Sequence, residues 1–309
     1  LNIFRNPPQG LVFAMIILVM VIWSVNYLWA KATLREFDAL TLASFRIMLA
    51  AAIMAPIYLR RPRRGGPDRR DAVKFVQLGF FGMVMNQVLF TIGLSLTTVS
   101  HSALLVGLGP IYVLLLAWAQ GLETVSPGKI IGMLLAFTGV AVLATEHGFN
   151  LRSGTLAGDL VTIGGSLAFS IYLVLGKKVA RKYSTVEMNF FNYVIAAAMI
   201  SPLALRQASL LDWHRISWAA WGGLLYMAAF ASVAAYLIYF WALRHVTATR
   251  IAAFSYLLPV MATLGGVLVL GDPLSVHLFI GGGLVLSGVF VAERAPAGDR
   301  IADEEQQTV

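Results

Sequence analysis

Between Lys74 and Glu123 the chain contains no Asp, Glu, Lys or Arg. Such a stretch is hard to fold in water, because a soluble domain carries charge on about a quarter of its residues. Further charge-free runs cover 11–30, 130–145, 160–176, 188–205, 216–243, 251–271 and 273–292. Several reach the roughly 18 apolar residues that mark a bilayer-spanning helix. One such run could be a buried helix of a soluble protein, but a series separated by short charged loops predicts an integral membrane chain. Composition agrees, with 59% hydrophobic and 12% charged residues.

The runs are long and lack the roughly ten-residue alternation of barrel strands, so they read as helices. The expected fold class is all-α integral membrane, with ten transmembrane helices near 11–30, 39–58, 73–94, 98–119, 128–145, 157–176, 187–205, 217–241, 248–270 and 275–292. Residues 1–10 form a short N-terminal lead. The first run is too long for a signal-peptide core and its end recurs internally at 169–177, so it is expected to remain as a mature helix. The polar tail 294–309, with Asp303, Glu304 and Glu305, is expected to be solvated and disordered.

A formal charge of +8 could mark a nucleic-acid binder. Here the basic residues sit in loops between apolar spans, which the positive-inside rule explains without nucleic acid. Counted over alternate loops, 17 Lys and Arg fall on one side and five on the other, which places both termini in the cytoplasm. The chain has no cysteine, so disulfides and thiol chemistry are excluded.

The sequence is internally duplicated. Shifted by 146 residues, 23–59 lies on 169–205 without a gap, so that Ser24 meets Ser170, Lys31 meets Lys177, Phe45 meets Phe191 and Pro56 meets Pro202. Shifted by 149, 81–142 lies on 230–291: Leu94 meets Leu243, Thr98 meets Thr247, Pro110 meets Pro259, Ser126 meets Ser275, Gly132 meets Gly281 and Gly139 meets Gly288. Chance explains matched Leu and Ala, whereas matched Pro, Lys, Ser and Gly at constant offsets indicate duplication. Each half, 11–147 and 157–293, holds five spans. An odd number forces the second half to enter the membrane upside down, giving the inverted repeat of many secondary transporters.

These features resemble the drug/metabolite transporter superfamily in its ten-helix EamA-type branch. The resemblance rests on Trp23-Ser24-Val25-Asn26, Phe45-Arg46, the proline helices with Pro110 and Pro259, Glu123 and Asp272 after them, and the glycine-lined fifth and tenth helices. It implies a central substrate cavity formed mainly by helices one to four and six to nine, with five and ten side by side. It also implies a bacterial inner-membrane exporter of metabolites, similar to the aromatic amino acid exporters. The glycine spacing itself points to close helix packing, since Gly132 and Gly139, like Gly281 and Gly288, stand on one helix face.

Arg46 lies about 10 Å into the second helix at 1.5 Å per residue. A cation there costs about 2.5–3.5 kcal/mol even on insertion scales. It reads either as a cavity cation that meets a substrate carboxylate or as a snorkelling interfacial arginine. Polar and aromatic residues recur at helical spacing on repeat-related helices: Trp23 and Asn26 match Phe169 and Tyr172, while Gln87 and Phe90 match Tyr236 and Tyr239. These eight are expected to surround an amphipathic substrate, with Asn86 and Asn192 beside them. Asn192 occupies Arg46's repeat position and Tyr256 occupies that of Gly107. His101 could titrate near neutral pH or be an ordinary interfacial histidine. Pro110 and Pro259 are expected to bend or locally break their helices. Glu146 and Asp159 read as solvated span ends, and Trp29, Trp118, Trp213 and Trp218 as interface anchors.

The sequence has no HExxH, GxSxG, phosphate-loop or Cys/His metal pattern, so neither enzyme activity, a cofactor nor a metal is expected. The expected function is secondary transport: export of a small amphipathic metabolite, an amino acid with the aromatic ones as a subclass, by alternating access. Alternatives are a transporter of cationic drugs or nucleotide sugars, and a non-transport intramembrane protein. The expected partners are the small-molecule substrate and the lipid bilayer, in a chain compatible with a monomer.

Overall fold

The computed structural model describes residues 7–61, 66–97, 102, 105–146, 156–180, 182–265 and 276–295. Among them every regular element is helical: α1 (Gln9–Thr33), α2 (Ala39–Leu59), α3 (Arg69–Leu96), α4 (Gly109–Ala119), α5 (Pro127–Glu146), α6 (Leu156–Ala180), α7 (Thr185–Leu210), α8 (Trp218–Leu243), α9 (248–265) and α10 (Val276–Arg294). By length and composition α1, α2, α3, α6, α7 and α8 can each cross a membrane, and α4, α5 and α9 are shorter apolar helices. Large apolar side chains point outward around the bundle, among them Leu115, Ile131, Leu205, Phe230 and Phe279, each more than half exposed. Water would not tolerate such continuous apolar surface, whereas lipid tails do. The protein is a multi-pass membrane protein. His101 and Asp272 lie outside the described residues.

Helix ends follow their local chemistry. Asp38 caps α2 by accepting from the amides of Leu40 and Thr41 at 3.0 Å each. At the repeat-equivalent position Ser184 caps α7 in a reciprocal capping box with Glu187. Gly121, at φ +67°, ends α4 in the left-handed region that glycine tolerates, and Leu122 N bonds back to Ala117 O at 2.9 Å.

The two halves pack as exchanged partners. α1 contacts α8 and α9, and correspondingly α6 contacts α3 and α4. α2 packs on its own counterpart α7, and α5 on α10. Both of these pairs run antiparallel. In the first, Thr41 bonds Gln207 at 3.2 Å near one end and Tyr58 stacks on Phe190 at 4.1 Å near the other. In the second, Gly132 faces Gly288 and Gly139 faces Gly281. Repeat-equivalent helices that run antiparallel establish the inverted relation of the halves.

The glycines of α5 and α10 bring the backbones together. A Cβ at Gly139 would stand 2.6 Å from Gly281 O, and one at Gly288 2.6 Å from Gly132 O. No side chain fits there, which leaves dispersion contacts between backbones as the attraction that lipid cannot supply.

Two lysines counted with the loops are part of the core packing. α1 and α6 extend past the expected spans, so Lys31 and Lys177 stay helical. Lys31 Nζ donates to Leu94 O at 2.9 Å and Thr97 O at 3.1 Å; Lys177 Nζ donates to Leu243 O at 3.0 Å and Val246 O at 2.7 Å. Each lysine thus satisfies free carbonyls at the C-terminal end of the third helix of its half, where the helix dipole favours a cation. Lys129, also counted as a loop charge, is 2% exposed and pairs with Glu123 at 3.1 Å.

Candidate functional site

The central helices do not run as plain α-helices. α3 opens into π-helical turns over Gly79–Met85 and α8 over Met227–Ala234, at equivalent places in the repeat. A π turn displaces carbonyls from the usual ladder and frequently marks a functional region. In α8 Ala231 O, within the π segment, accepts from Trp23 Nε1 at 3.0 Å. In α3 the small Gly82 admits the ring of Tyr172, which occupies the space where a Cβ would stand. One aromatic residue from the first helix of each half is therefore seated against a widened segment. The sequence carries no proline or other marker for these turns.

Beside them lies a cavity of about 840 Å³, its mouth included. Its wall includes Trp23, Asn26, Tyr27, Arg46, Asn86, Gln87, Phe90, Val106, Pro110, Thr162, Ser166, Phe169, Ser170, Tyr236 and Ser255. The residues from α1, α3 and α8 belong to the C-terminal halves of those helices and Arg46 to the N-terminal half of α2, while those from α6 and α9 run through the middle. The cavity therefore lies across the middle of the bundle, between the end that holds the α1–α2 connection, where α8 begins, and the opposite end, where α9 begins. At the opposite end polar contacts join the helices. Lys182 pairs with Asp68 at 2.5 Å and Asp71 at 2.6 Å, and Glu123 Oε1 accepts from Thr249 N at 3.0 Å. These carboxylates hold the Lys182 ammonium protonated to higher pH than an ordinary lysine, the Asp68 contact contributing most.

Aromatic rings form one side of the cavity. Trp23 meets Phe169 at 5.7 Å and Tyr236 at 5.8 Å between centroids, and Tyr27 meets Phe90 edge-on at 5.1 Å. Such rings present large apolar faces at low conformational cost, with Tyr and Trp polar groups tied by their own hydrogen bonds. Asn86 is fixed at both ends: its Nδ2 donates to Gly165 O at 3.1 Å and its Oδ1 accepts from Tyr236 OH at 3.4 Å. Gln87 Nε2 donates to Tyr193 OH at 3.3 Å.

Arg46 completes the wall. Its residue exposure is 4%, and its Nε donates to Ser232 Oγ in the π segment of α8 at 2.7 Å. The arginine therefore turns inward and does not snorkel. Among the described residues no carboxylate lines the cavity, and Arg46 forms no ion pair. A buried cation without a counter-ion costs several kcal/mol after relaxation.

The prolines mark breaks in both halves. Pro110 stands in the first turn of α4, after a turn at 107–108. Pro259 follows a 3₁₀ turn at Phe254–Tyr256. A proline leaves the carbonyl four residues earlier without its helical donor. For Pro110 that carbonyl is Val106 O, and Ser166 Oγ donates to it at 3.4 Å. The serines matched in the repeat bridge the halves at equivalent carbonyls, each one residue before a proline: Ser24 to Leu258 O at 3.1 Å, and Ser170 to Gly109 O at 3.2 Å.

Of the residues singled out in the sequence, the cavity brings together Trp23, Asn26, Arg46, Asn86, Gln87, Phe90, Phe169, Tyr236 and Pro110. Tyr172, Asn192, Tyr239 and Tyr256 are fully buried but do not line it, and neither does Pro259. Tyr172 is turned toward Gly82, Tyr239 lies behind Trp23 at 5.2 Å, and Asn192 sits against α3 at Gly79. Helical spacing identified the face in these cases, and close packing against the π segments set its rotation. Asp159 is not merely solvated, since its Oδ1 accepts from Thr97 Oγ1 at 2.7 Å. Sequence reading missed Ser166, Thr162, Tyr27 and Ser232. Only a polar residue within an apolar run signalled them.

The sequence profile of the EamA-like transporter family matches residues 10–145 and again 156–293. The chain is 26% identical to the uncharacterized transporter YyaM of Bacillus subtilis, over 96% of this chain and 98% of that one. It is 24% identical to an uncharacterized transporter of Archaeoglobus fulgidus, over 89% of this chain and 94% of the relative. One crystal structure superposes with a TM-score of 0.72 at 19% identity, covering 92% of this chain and 96% of its own, which supports the fold.

Proposed function

Since the chain belongs to the EamA-like transporter family, we propose that this transporter exports a small amphipathic metabolite, an amino acid with an aromatic or other apolar side chain, by alternating access. The observation that carries this reading is the cavity itself, whose described lining combines one guanidinium, that of Arg46, with the rings of Trp23, Phe169 and Tyr236. A guanidinium binds a carboxylate through parallel charge-assisted hydrogen bonds, and the rings suit an apolar side chain. A cationic drug would find no carboxylate among the described lining residues. The inverted halves supply the movement, because two similar structures of opposite orientation can rock about a central site.

The membrane is the bacterial inner membrane and both termini are cytoplasmic, in keeping with the excess of Lys and Arg on one side. In that orientation the contacts of Lys182 and Glu123 lie at the cytoplasmic end. The test is counterflow in proteoliposomes with a panel of labelled amino acids. Accumulation of an aromatic amino acid by wild type, reduced about 100-fold in Arg46→Ala at unchanged membrane insertion, is the expected result. Equal flux in the two proteins would remove Arg46 from the reading.

A further inference from the structure

Arg46 carries a charge that the described protein does not balance. Its one hydrogen bond is to the neutral Ser232, it lines the cavity, and the described ion pairs lie at the helix ends. While the cavity is open, water can solvate the terminal guanidinium nitrogens. In passing between the two access states the cavity must close on both sides, and an unpaired cation in a closed, water-poor site is strongly disfavoured. A carboxylate on those nitrogens replaces the lost water with two charge-assisted hydrogen bonds. The repeat partner of Arg46 is the neutral Asn192, so one monoanion is the balancing charge.

The ammonium group of an amino acid has no comparable partner. The described wall holds no carboxylate for it, only neutral polar residues such as Asn26, Gln87 and Ser166. It would also be repelled by the nearby guanidinium. We propose that the substrates are organic monocarboxylates with an apolar or aromatic body, that an amino group is dispensable, and that the carboxylate must sit on Arg46 before the cavity can close. The empty carrier then does not return, and transport is an exchange of one carboxylate for another. This rests on the cavity being the transport site.

The test uses three probes with one ring and different charges: L-phenylalanine, 3-phenylpropionate and phenethylamine. Wild-type protein is placed in proteoliposomes loaded with each probe or with buffer, and entry of labelled L-phenylalanine is followed. Entry at least ten-fold faster into vesicles loaded with L-phenylalanine or 3-phenylpropionate than into those loaded with phenethylamine or buffer is expected. Arg46→Gln should abolish that ratio and Arg46→Lys should keep part of it. Equal acceleration by phenethylamine, or equal entry into buffer-loaded vesicles, overturns the proposal. Thermal unfolding of the detergent-purified protein separates the two levels of inference. If 3-phenylpropionate raises the melting temperature of wild type but not of Arg46→Gln, and no probe is exchanged, the carboxylate subsite stands and amino-acid transport falls. A shift with phenethylamine as large as with 3-phenylpropionate, or with neither, overturns the subsite.

Discussion

The two halves of the chain agree in some residues and differ in others, and the division is physical. Lys31 and Lys177 cap equivalent helix ends, Ser24 and Ser170 bond equivalent carbonyls before the prolines, and the glycines of α5 and α10 meet in equivalent pairs. Those residues hold backbone to backbone, and an inverted structure needs the same bonds twice. The pairs that differ include Arg46 and Asn192, Asn26 and Tyr172, and Phe90 and Tyr239, and in each the first lines the cavity while the second is packed behind it. Retained identity serves the backbone contacts here, and in these three pairs the changed residue decides which half reaches the cavity.

The glycine contacts give the strongest way to break that comparison. Gly139→Leu and Gly288→Leu would each force a side chain onto backbone only 2.6 Å from the added Cβ. Overpacking costs about 1–3 kcal/mol where neighbours can yield, and more against backbone that cannot. Both variants should lose most folded protein by fluorescence-detected size exclusion, and to similar extents. A large difference between the two would show that the scaffold is not symmetric.

Arg46→Ala and Asn192→Ala form the next contrast. The first should lower exchange about 100-fold with little change in melting temperature, corresponding to about 2.7 kcal/mol of lost interaction during transport. The second should change stability more than flux, because Asn192 is packed away from the cavity. Equal transport defects would erase the distinction between the cavity side and its buried counterpart.

A smaller, matched effect is expected from Lys31→Met and Lys177→Met. A hydrogen bond from a charged donor contributes about 1.5–3 kcal/mol, so each variant should unfold at lower temperature in detergent by a similar amount. The smallest effect concerns Glu36, exposed in the α1–α2 connection. Its carboxylate accepts from Ser217 N at 2.6 Å and Ser217 Oγ at 2.7 Å, and these bonds, the backbone one foremost, hold its pKa below the usual 4.5. A depressed carboxylate stabilises above the unfolded pKa and loses that contribution as pH falls through the folded one. Melting temperature should therefore fall slightly more in wild type than in Glu36→Gln when pH is lowered below about 4.5.

Much of this arrangement was legible before the structure. Charge-free runs identified the helices, and two constant offsets identified the duplicated halves. The glycine spacing identified the contact of α5 with α10, because only small residues permit that approach. The site was legible in part. Trp23, Asn26, Arg46, Gln87 and Phe169 could be singled out as polar or aromatic residues at helical spacing, but Tyr172 and Tyr239 share that spacing and face away from the cavity. Lys31, Lys129 and Lys177 show the opposite limitation: each reads as a loop charge, and each is held at a helix end by carbonyls or a carboxylate.

The sequence by itself determined a helical membrane chain of two inverted halves, because hydrophobic length, odd helix number and charge asymmetry are properties of composition and order. It did not determine which side of each central helix meets the cavity. That was decided by contacts between halves far apart in sequence: Tyr172 settling into Gly82, Trp23 bonding Ala231, and Arg46 turned inward by Ser232. A helix's period fixes which residues share a face, while its rotation about its own axis is set by what packs against it, and in this protein that is the π-helical turns of α3 and α8.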